Sequence, residues 1–148
     1  MNQTDQVDLR AMTRLELEHL PILWVAADLP FRPHGRDTYP ALEAQWHRNT
    51  DGFIGAFDSG ALVGSVVATD DGRRGYINRL AVHPAYRRRG LAVRLVEEAE
   101  RLLKRRGLTV ITALIEDSNI ASRTFFASQG YQHLPEVLYY AKRESPES

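Results

Sequence analysis

Three observations predict a mixed α/β fold. Short strand-like runs separated by turn residues fill positions 53–82, an amphipathic helix pattern follows at 91–106, and an almost unbroken apolar run rich in β-branched residues occupies 108–115. The first implies an antiparallel meander; the other two imply a strand, a crossover helix and a parallel strand. The expected order is β-α-α-β-β-β-α-β-α-β-β, a mixed sheet of six or seven strands flanked by helices. At 148 residues the chain suits one domain, residues 1–148.

Residues 1–6 and the tail from Glu144 are polar and expected to fray. Val7 to Arg10 reads as a first strand. Thr13 and Glu16 have the spacing of a capping box, so a helix is expected from there towards Ala27, kinked or restarted at Pro21. Pro30, Pro33, Gly35 and Pro40 make 28–40 a loop, and a second helix follows over 41–49. Strands at 53–57 and 61–69 flank the three-residue turn Asp58-Ser59-Gly60, and residues 70–75 turn into a third strand, 76–82. The helix at 91–106 carries its apolar stripe on positions 91, 92, 95, 99, 102 and 103 and stops at Gly107. Residues 108–115 read as a strand buried on both faces. A short helix over 119–129 ends at Gly130, and 131–134 and 137–141 read as two last strands around Pro135.

The composition, 43% hydrophobic and 26% charged, is that of a globular protein and not a disordered one. Formal net charge is zero, which gives the whole molecule no long-range reason to seek nucleic acid or an anionic membrane. Locally, positions 73–106 are strongly basic, opposed only by Glu97, Glu98 and Glu100. The absence of cysteine excludes disulfides, thiolate metal sites and a cysteine nucleophile. His19, His34, His47, His83 and His133 show no ligand spacing, so no metal is expected. The longest apolar stretch, near residues 20–27, is too short to cross a bilayer, and no signal pattern opens the chain. A cytoplasmic protein is expected.

The densest functional signal is Arg87-Arg88-Arg89-Gly90-Leu91-Ala92, placed where a strand turns through glycine into a helix. A helix start leaves backbone N–H groups unpaired and carries the positive end of the helix dipole, which together suit a phosphate or diphosphate. Three arginines in the same turn add mobile positive charge. The run Lys104-Arg105-Arg106, at a helix C-terminus, is more simply solvated surface.

The stretch Leu80-Ala81-Val82-His83-Pro84-Ala85-Tyr86-Arg87-Arg88-Arg89-Gly90-Leu91-Ala92 resembles the acetyl-coenzyme A signature of the GNAT superfamily of N-acetyltransferases. That signature is Arg or Gln, two residues, Gly, one residue, then Gly or Ala, after a strand ending Leu-x-Val. Asn119, Ser122, Phe125, Phe126 and Gly130-Tyr131 resemble the family's second segment, and the turn at 71–75 resembles a bacterial branch near the ribosomal-protein-alanine acetyltransferases. The resemblance implies a GNAT-like fold with acetyl-CoA as co-substrate. Its diphosphate would lie on N–H groups between Arg88 and Val93, and Ala92 would keep the backbone approachable. Its pantetheine arm would pair with Leu80, Ala81 and Val82 in a splay between that strand and 108–115, with Asn119, Ser122 and Phe126 on the far side. Asn119 is equally a helix N-cap in its own right, and Phe125 reads as core.

The resemblance also implies an amine acceptor, on a small molecule or as a protein N-terminus or lysine. Acceptor candidates lie in the 28–40 loop, the second helix and the last strands. Phe31, Tyr39, Trp46 and Tyr139 would supply walls, and Asp28 or Asp37 an attraction for ammonium. The family's proton-donating tyrosine is replaced here by Phe126, and strand positions where relatives carry a glutamate are Tyr76 and Asn78. The base position of the ribosomal-protein branch holds Leu114. Strand alternation sets Tyr76, Asn78, Leu80 and Val82 on one face, making Tyr76 and Asn78 the catalytic candidates. Two classes stay open: an acetyltransferase using water or another tyrosine (Tyr131, Tyr139 or Tyr140), and a non-catalytic acyl-CoA binder or sensor. Many relatives dimerise, and nothing in the chain decides for or against a homodimer.

Overall fold

The computed structural model describes residues 6–148. The expectation of fraying at the N-terminus lies almost wholly outside these residues. The described chain forms a five-stranded sheet in the order β1-β2-β3-β4-β5, with helices on both faces. Strand β1 is Val7–Ala11, β2 Phe53–Asp58, β3 Ala61–Asp70, β4 Gly75–Val82 and β5 Ile111–Ala113. Helices are α1 (Leu20–Ala26), α2 (Tyr39–Arg48), α3 (Leu91–Arg105) and α4 (Ile120–Ser128). The first four strands pair antiparallel, and β4 pairs parallel with β5, as the meander and crossover predicted.

The glutamate half of the capping box forms, with Thr13 N–H donating to Glu16 Oε1 at 2.8 Å. Instead of one helix, a 3-10 turn (Leu15–His19) comes first, and α1 restarts with Pro21 in its first turn, where no N–H is required. α2 begins two residues earlier than expected because Thr38 Oγ1 accepts from Ala41 N–H and Pro40 again falls in the first turn. The β2–β3 connection is a two-residue turn, Ser59-Gly60, with φ of 51° and 86°; positive φ at both positions matches the twist of the flanking strands.

The sheet separates two apolar clusters. Leu91, Leu95, Val96, Ala99, Leu102 and Leu103 of α3 cover one face, against Ile54, Val66, Ala68 and Ile77. Leu20, Leu23 and Trp24 of α1 and Leu42 of α2 cover the other, against Phe53, Phe57, Val67 and Ala81. Each buried leucine or phenylalanine contributes about 1.5–3 kcal/mol, so the two clusters fix the sheet between its helices.

The C-terminal third differs from expectation. Only Ile111–Ala113 of the 108–115 run is strand, and it is half-buried, not covered on both faces. Residues 131–134 and 137–141 form no strands, so the sheet has five strands among the described residues where six or seven were expected. A strand needs an edge to pair with. β5 offers three residues, Pro135 interrupts the incoming segment, and Val137, Leu138, Tyr139 and Tyr140 lie exposed. Leu114 is exposed for the same reason.

Candidate active site

The site begins with a fault in the sheet. Val67 pairs with Asn78, but Ser65 pairs with Ala81, so Arg79 and Leu80 both oppose Val66. This is a β-bulge, and Arg79 takes the extra turn with φ 54°, a left-handed conformation costing a non-glycine residue about 1–2 kcal/mol. β4 pairs with β5 only at Gly75, Tyr76 and Ile77, so the parallel ladder ends just before the bulge, while β4 goes on pairing with β3 through Ala81 and Val82.

The bulge also corrects the expected face. Tyr76 and Asn78 stand with Ala81, on the side of Thr69, Val67 and Ser65. Leu80 and Val82 pack with Ile77 in the cluster beneath α3. Simple alternation fails because two residues on β4 oppose one on β3, which exchanges the faces from that point. Tyr76 and Asn78 are in addition bonded where they stand. The Tyr76 hydroxyl donates to Asp71 Oδ2 at 3.2 Å, and Asn78 Nδ2 donates to Thr69 Oγ1 at 3.0 Å. The Asp71 carboxyl is held below its ordinary pKa by the N–H groups of Arg74 and Arg73, so it is an acceptor for that hydroxyl.

What holds the bulge lies under α1. The buried Ser65 hydroxyl donates to the Arg79 carbonyl at 2.9 Å and accepts from Trp24 Nε1 at 3.2 Å. The Arg79 guanidinium lies over the Trp24 ring, 5.1 Å from its centroid, and donates to Pro30 O at 2.8 Å and Asp37 Oδ2 at 2.6 Å. Asp37 Oδ2 also accepts from Arg32 N–H at 2.6 Å. Asp37 is 5% exposed, which corrects its reading as a lure for ammonium: its charge is already matched by Arg79. Asp28, exposed with φ 58°, stays at the surface of the same loop.

At the other end of β4 the chain passes a 3-10 turn, Pro84–Tyr86, capped by His83 Nδ1 accepting from Ala85 N–H. The Tyr86 hydroxyl is bonded to the Asp58 carboxylate, tying this segment to the β2–β3 turn. Arg88 (φ 64°) and Gly90 (φ 76°) are both left-handed and swing the chain into α3. Arg94 N–H is the first to reach a carbonyl of the helix start, Gly90 O at 3.1 Å. The N–H groups of Gly90, Leu91, Ala92 and Val93 thus have no intrahelical acceptor. The N-cap residue, Gly90, offers no side chain to cap them, and the first turn holds no acid. A Cβ at Gly90 would meet nothing within 4 Å, so the space beside the turn is open. An exposed, uncapped N-terminus of a 15-residue helix fits a diphosphate.

The three arginines differ. Arg87 is drawn back, donating from Nη2 to Ala27 O at 3.0 Å and from Nε to Val82 O at 3.3 Å, so it clasps α1 to the end of β4. Arg89 lies over the Tyr86 ring, 5.2 Å from the centroid. Arg88 is exposed. Leu91 is buried in the core, while Ala92 and Val93 are half-buried on the helix start.

On the far strand's side, Asn119 is the N-cap of α4, its Oδ1 accepting from Ser122 N–H at 3.1 Å, which settles its structural role. Phe126 is 6% exposed, with edge-to-face contacts to Phe125 and Tyr131, so its ring is a packing element. The Tyr131 hydroxyl donates to Glu100 Oε2 at 2.7 Å, and burial together with that carboxylate pushes its pKa far above the ordinary value. Tyr139 and Tyr140 are exposed.

Two other expectations resolve as structure. Trp46 Nε1 donates to Met12 O at 3.0 Å, anchoring α2, and Phe31 packs against Trp24. Arg106 is not merely solvated: it donates to Asn49, Asp51 and Asp70 at 2.6–2.8 Å, beside a cleft of about 450 Å³ at the opposite end of β4 from Gly90. Among the described residues no three His, Cys, Asp or Glu side chains are grouped to hold a metal, and no helix is long and apolar enough to cross a membrane.

Comparison with known proteins agrees with this geometry. Residues 18–131 match the model of the acetyltransferase (GNAT) family. The chain is 31% identical to Acetyltransferase SG1711 of Sodalis glossinidius over 137 residues, 93% of this chain and 95% of the relative. Its fold superposes on AAC(6')-Iy in complex with a CoA bisubstrate analog (TM-score 0.74, 22% identity, 93% and 98% of the two chains). It also superposes on PaiA N-acetyltransferase from Thermoplasma acidophilum in complex with coenzyme A (TM-score 0.72, 20% identity, 85% and 89%). With a family model matching most of the chain and a relative 31% identical over 93% of it, this protein belongs to the acetyltransferase (GNAT) family.

Proposed function

We propose that the protein moves the acetyl group of acetyl-CoA directly onto a primary amine of a small molecule or protein. The observation that carries the reading is the joining of two features by one strand. The β4–β5 ladder ends at Ile77, which would leave the following residues of β4 free to pair with a ligand arm, and the start of α3 follows only a short turn after the end of β4. A ligand with a diphosphate at one end and a thioester at the other suits that spacing.

The N–H groups from Gly90 to Val93 would hold the diphosphate, with Arg88 and Arg89 adding charge at the rim. The backbone of Leu80, Ala81 and Val82 would pair with the pantetheine arm, faced by Asn119 and Ser122, with Phe126 stiffening that wall from behind. Arg87 would contribute by fixing the turn. In the transfer the neutral amine attacks the thioester carbonyl, the carbon–sulfur bond breaks, and the proton lost by nitrogen ends on the thiolate. An N–H of the bulge would polarise the carbonyl. Orientation alone can supply about 7–11 kcal/mol of such a barrier, so a missing acid is tolerable.

Phe126 has no ionisable proton, and the Tyr131 hydroxyl is committed to Glu100; water, or the exposed Tyr139 or Tyr140, carries the proton in this reading. The same two facts favour one alternative, a binder that keeps acyl-CoA without turnover. Thermal melting with acetyl-CoA should raise Tm in both cases. Thiol release across amines, peptides and N-terminal alanine or serine tails separates them: release supports the enzyme, and a raised Tm with no release across the panel supports the binder. No rise in Tm would refute both.

A further inference from the structure

The Arg79–Asp37 pair lies apart from the cofactor groove yet touches both sides of the reaction as proposed. We propose that Arg79 and Asp37 act as positioning residues that lock the 28–38 loop onto the bulge of β4, so that acceptor seating is set by one ion pair relative to the strand that would carry the thioester. This rests on the acetyl-transfer reading above for its kinetic consequence, though not for its structural one.

Arg79 occupies the left-handed position that creates the bulge, at the point where β4 parts from β5. A side chain there serves the sheet without needing any charge. This one instead reaches out of the strand to a loop more than forty residues earlier in sequence, donating to Pro30 O and to the buried Asp37. Asp37 in turn holds Arg32 N–H. Two further backbone bonds, Asp37 N–H to Arg32 O at 2.9 Å and Gly35 N–H to Arg32 O at 3.0 Å, close the loop on itself. The loop is thus a small closed ring anchored by the charge of Arg79, while Arg32, His34 and Arg36 are exposed at its surface.

The pair is sheltered, with side-chain exposures of 19% for Arg79 and 4% for Asp37, so solvent screens it little. The Arg79 carbonyl is held separately by Ser65, and Trp24 braces both that serine and the guanidinium. Backbone and side chain of one residue are therefore fixed from two directions. Losing the side-chain half frees the loop; the bulge retains its serine.

The test is Asp37→Asn, nearly isosteric, beside Arg79→Lys and Arg79→Gln. Acetyl-CoA affinity should change less than twofold in all three, because the diphosphate turn is built from other residues. Acceptor kcat/KM should fall tenfold or more in Asp37→Asn and Arg79→Gln, mainly through acceptor KM, and Arg79→Lys should recover at least a third of the loss. A lower Tm with both substrates' parameters unchanged below Tm would show a merely structural pair and overturn the proposal. Hydrogen exchange reads the latch without turnover. Residues 29–38 should lose protection in Asp37→Asn or, should that variant not fold, in Arg79→Lys, while β1 keeps its own. Uniform loss or no loss would overturn the latch, whereas local loss in a protein that acetylates nothing would leave the latch standing and refute the transferase reading.

Discussion

Replacing Gly90 by alanine, with Gly107 as its matched control, separates the cost of a strained backbone from the loss of an anion site. The two glycines bracket the same helix, with φ of 76° and 87°, and a Cβ at either meets no atom within 4 Å. The folding penalty should then be nearly equal, about 1 kcal/mol for a left-handed alanine, and a fall in Tm of about 3 °C in a domain of this size. Their surroundings differ in what remains open. Gly107 follows the last turn, about 22 Å along the axis from the first. Gly90 stands beside the uncapped amides. Charge-assisted hydrogen bonds contribute about 1.5–3 kcal/mol each, so a methyl group that displaces the diphosphate from one amide should weaken coenzyme A binding roughly 10- to 100-fold. Calorimetric titration of coenzyme A into both variants, below their melting temperatures, reads the difference. The expected result is an unchanged Kd for Gly107→Ala and at least a tenfold rise for Gly90→Ala. Equal Kd values in the two variants, with equal losses of Tm, would refute the assignment of the diphosphate to the start of α3.

Three further outcomes follow from named contacts. Arg10 holds Glu16 by two bonds of 2.7–2.8 Å and, with Thr13 N–H, lowers its pKa from 4.5 to about 2. The stability this gives is present above pH 4.5 and lost as pH falls through 2. Discounted for solvent screening it is about 1 kcal/mol, and the stability gap between wild type and Glu16→Gln should shrink over that window in acid denaturation; a pH-independent gap would refute it. Tyr131→Phe should keep kcat within twofold while lowering Tm, because its hydroxyl serves Glu100; loss of kcat with an unchanged Tm would make it the proton donor after all. Ser65→Ala strips partners from the buried Trp24 Nε1 and the Arg79 carbonyl, and should cost about 2 kcal/mol in urea unfolding, with a fall in kcat larger than any change in coenzyme A Kd.

What the sequence discloses is what local chemistry decides. Gly90 announces a left-handed turn, the 91–106 pattern announces the helix behind it, and together they locate the helix start proposed to hold the diphosphate without any tertiary contact. Asn119 announces its cap in the same way. The last two strands failed as expectations for the complementary reason: residues 131–141 have strand composition, but pairing is a property of two edges, and β5 supplies only three residues. The bulge is the instructive case. Strict alternation would place Arg79 between Ile77 and Ala81 on a single face, a charge inserted into what must be a core surface. That mismatch was visible in the sequence, and it is the signal of an extra residue. Adding one residue at Arg79 returns Leu80 and Val82 to the side of Ile77, sends the arginine towards Trp24 and Asp37, and leaves the strand beyond Asn78 without its parallel partner. On the proposed reading the thioester would lie where the β4–β5 pairing stops, so the residue that breaks the alternation would also set that place, at a backbone strain of about 1–2 kcal/mol.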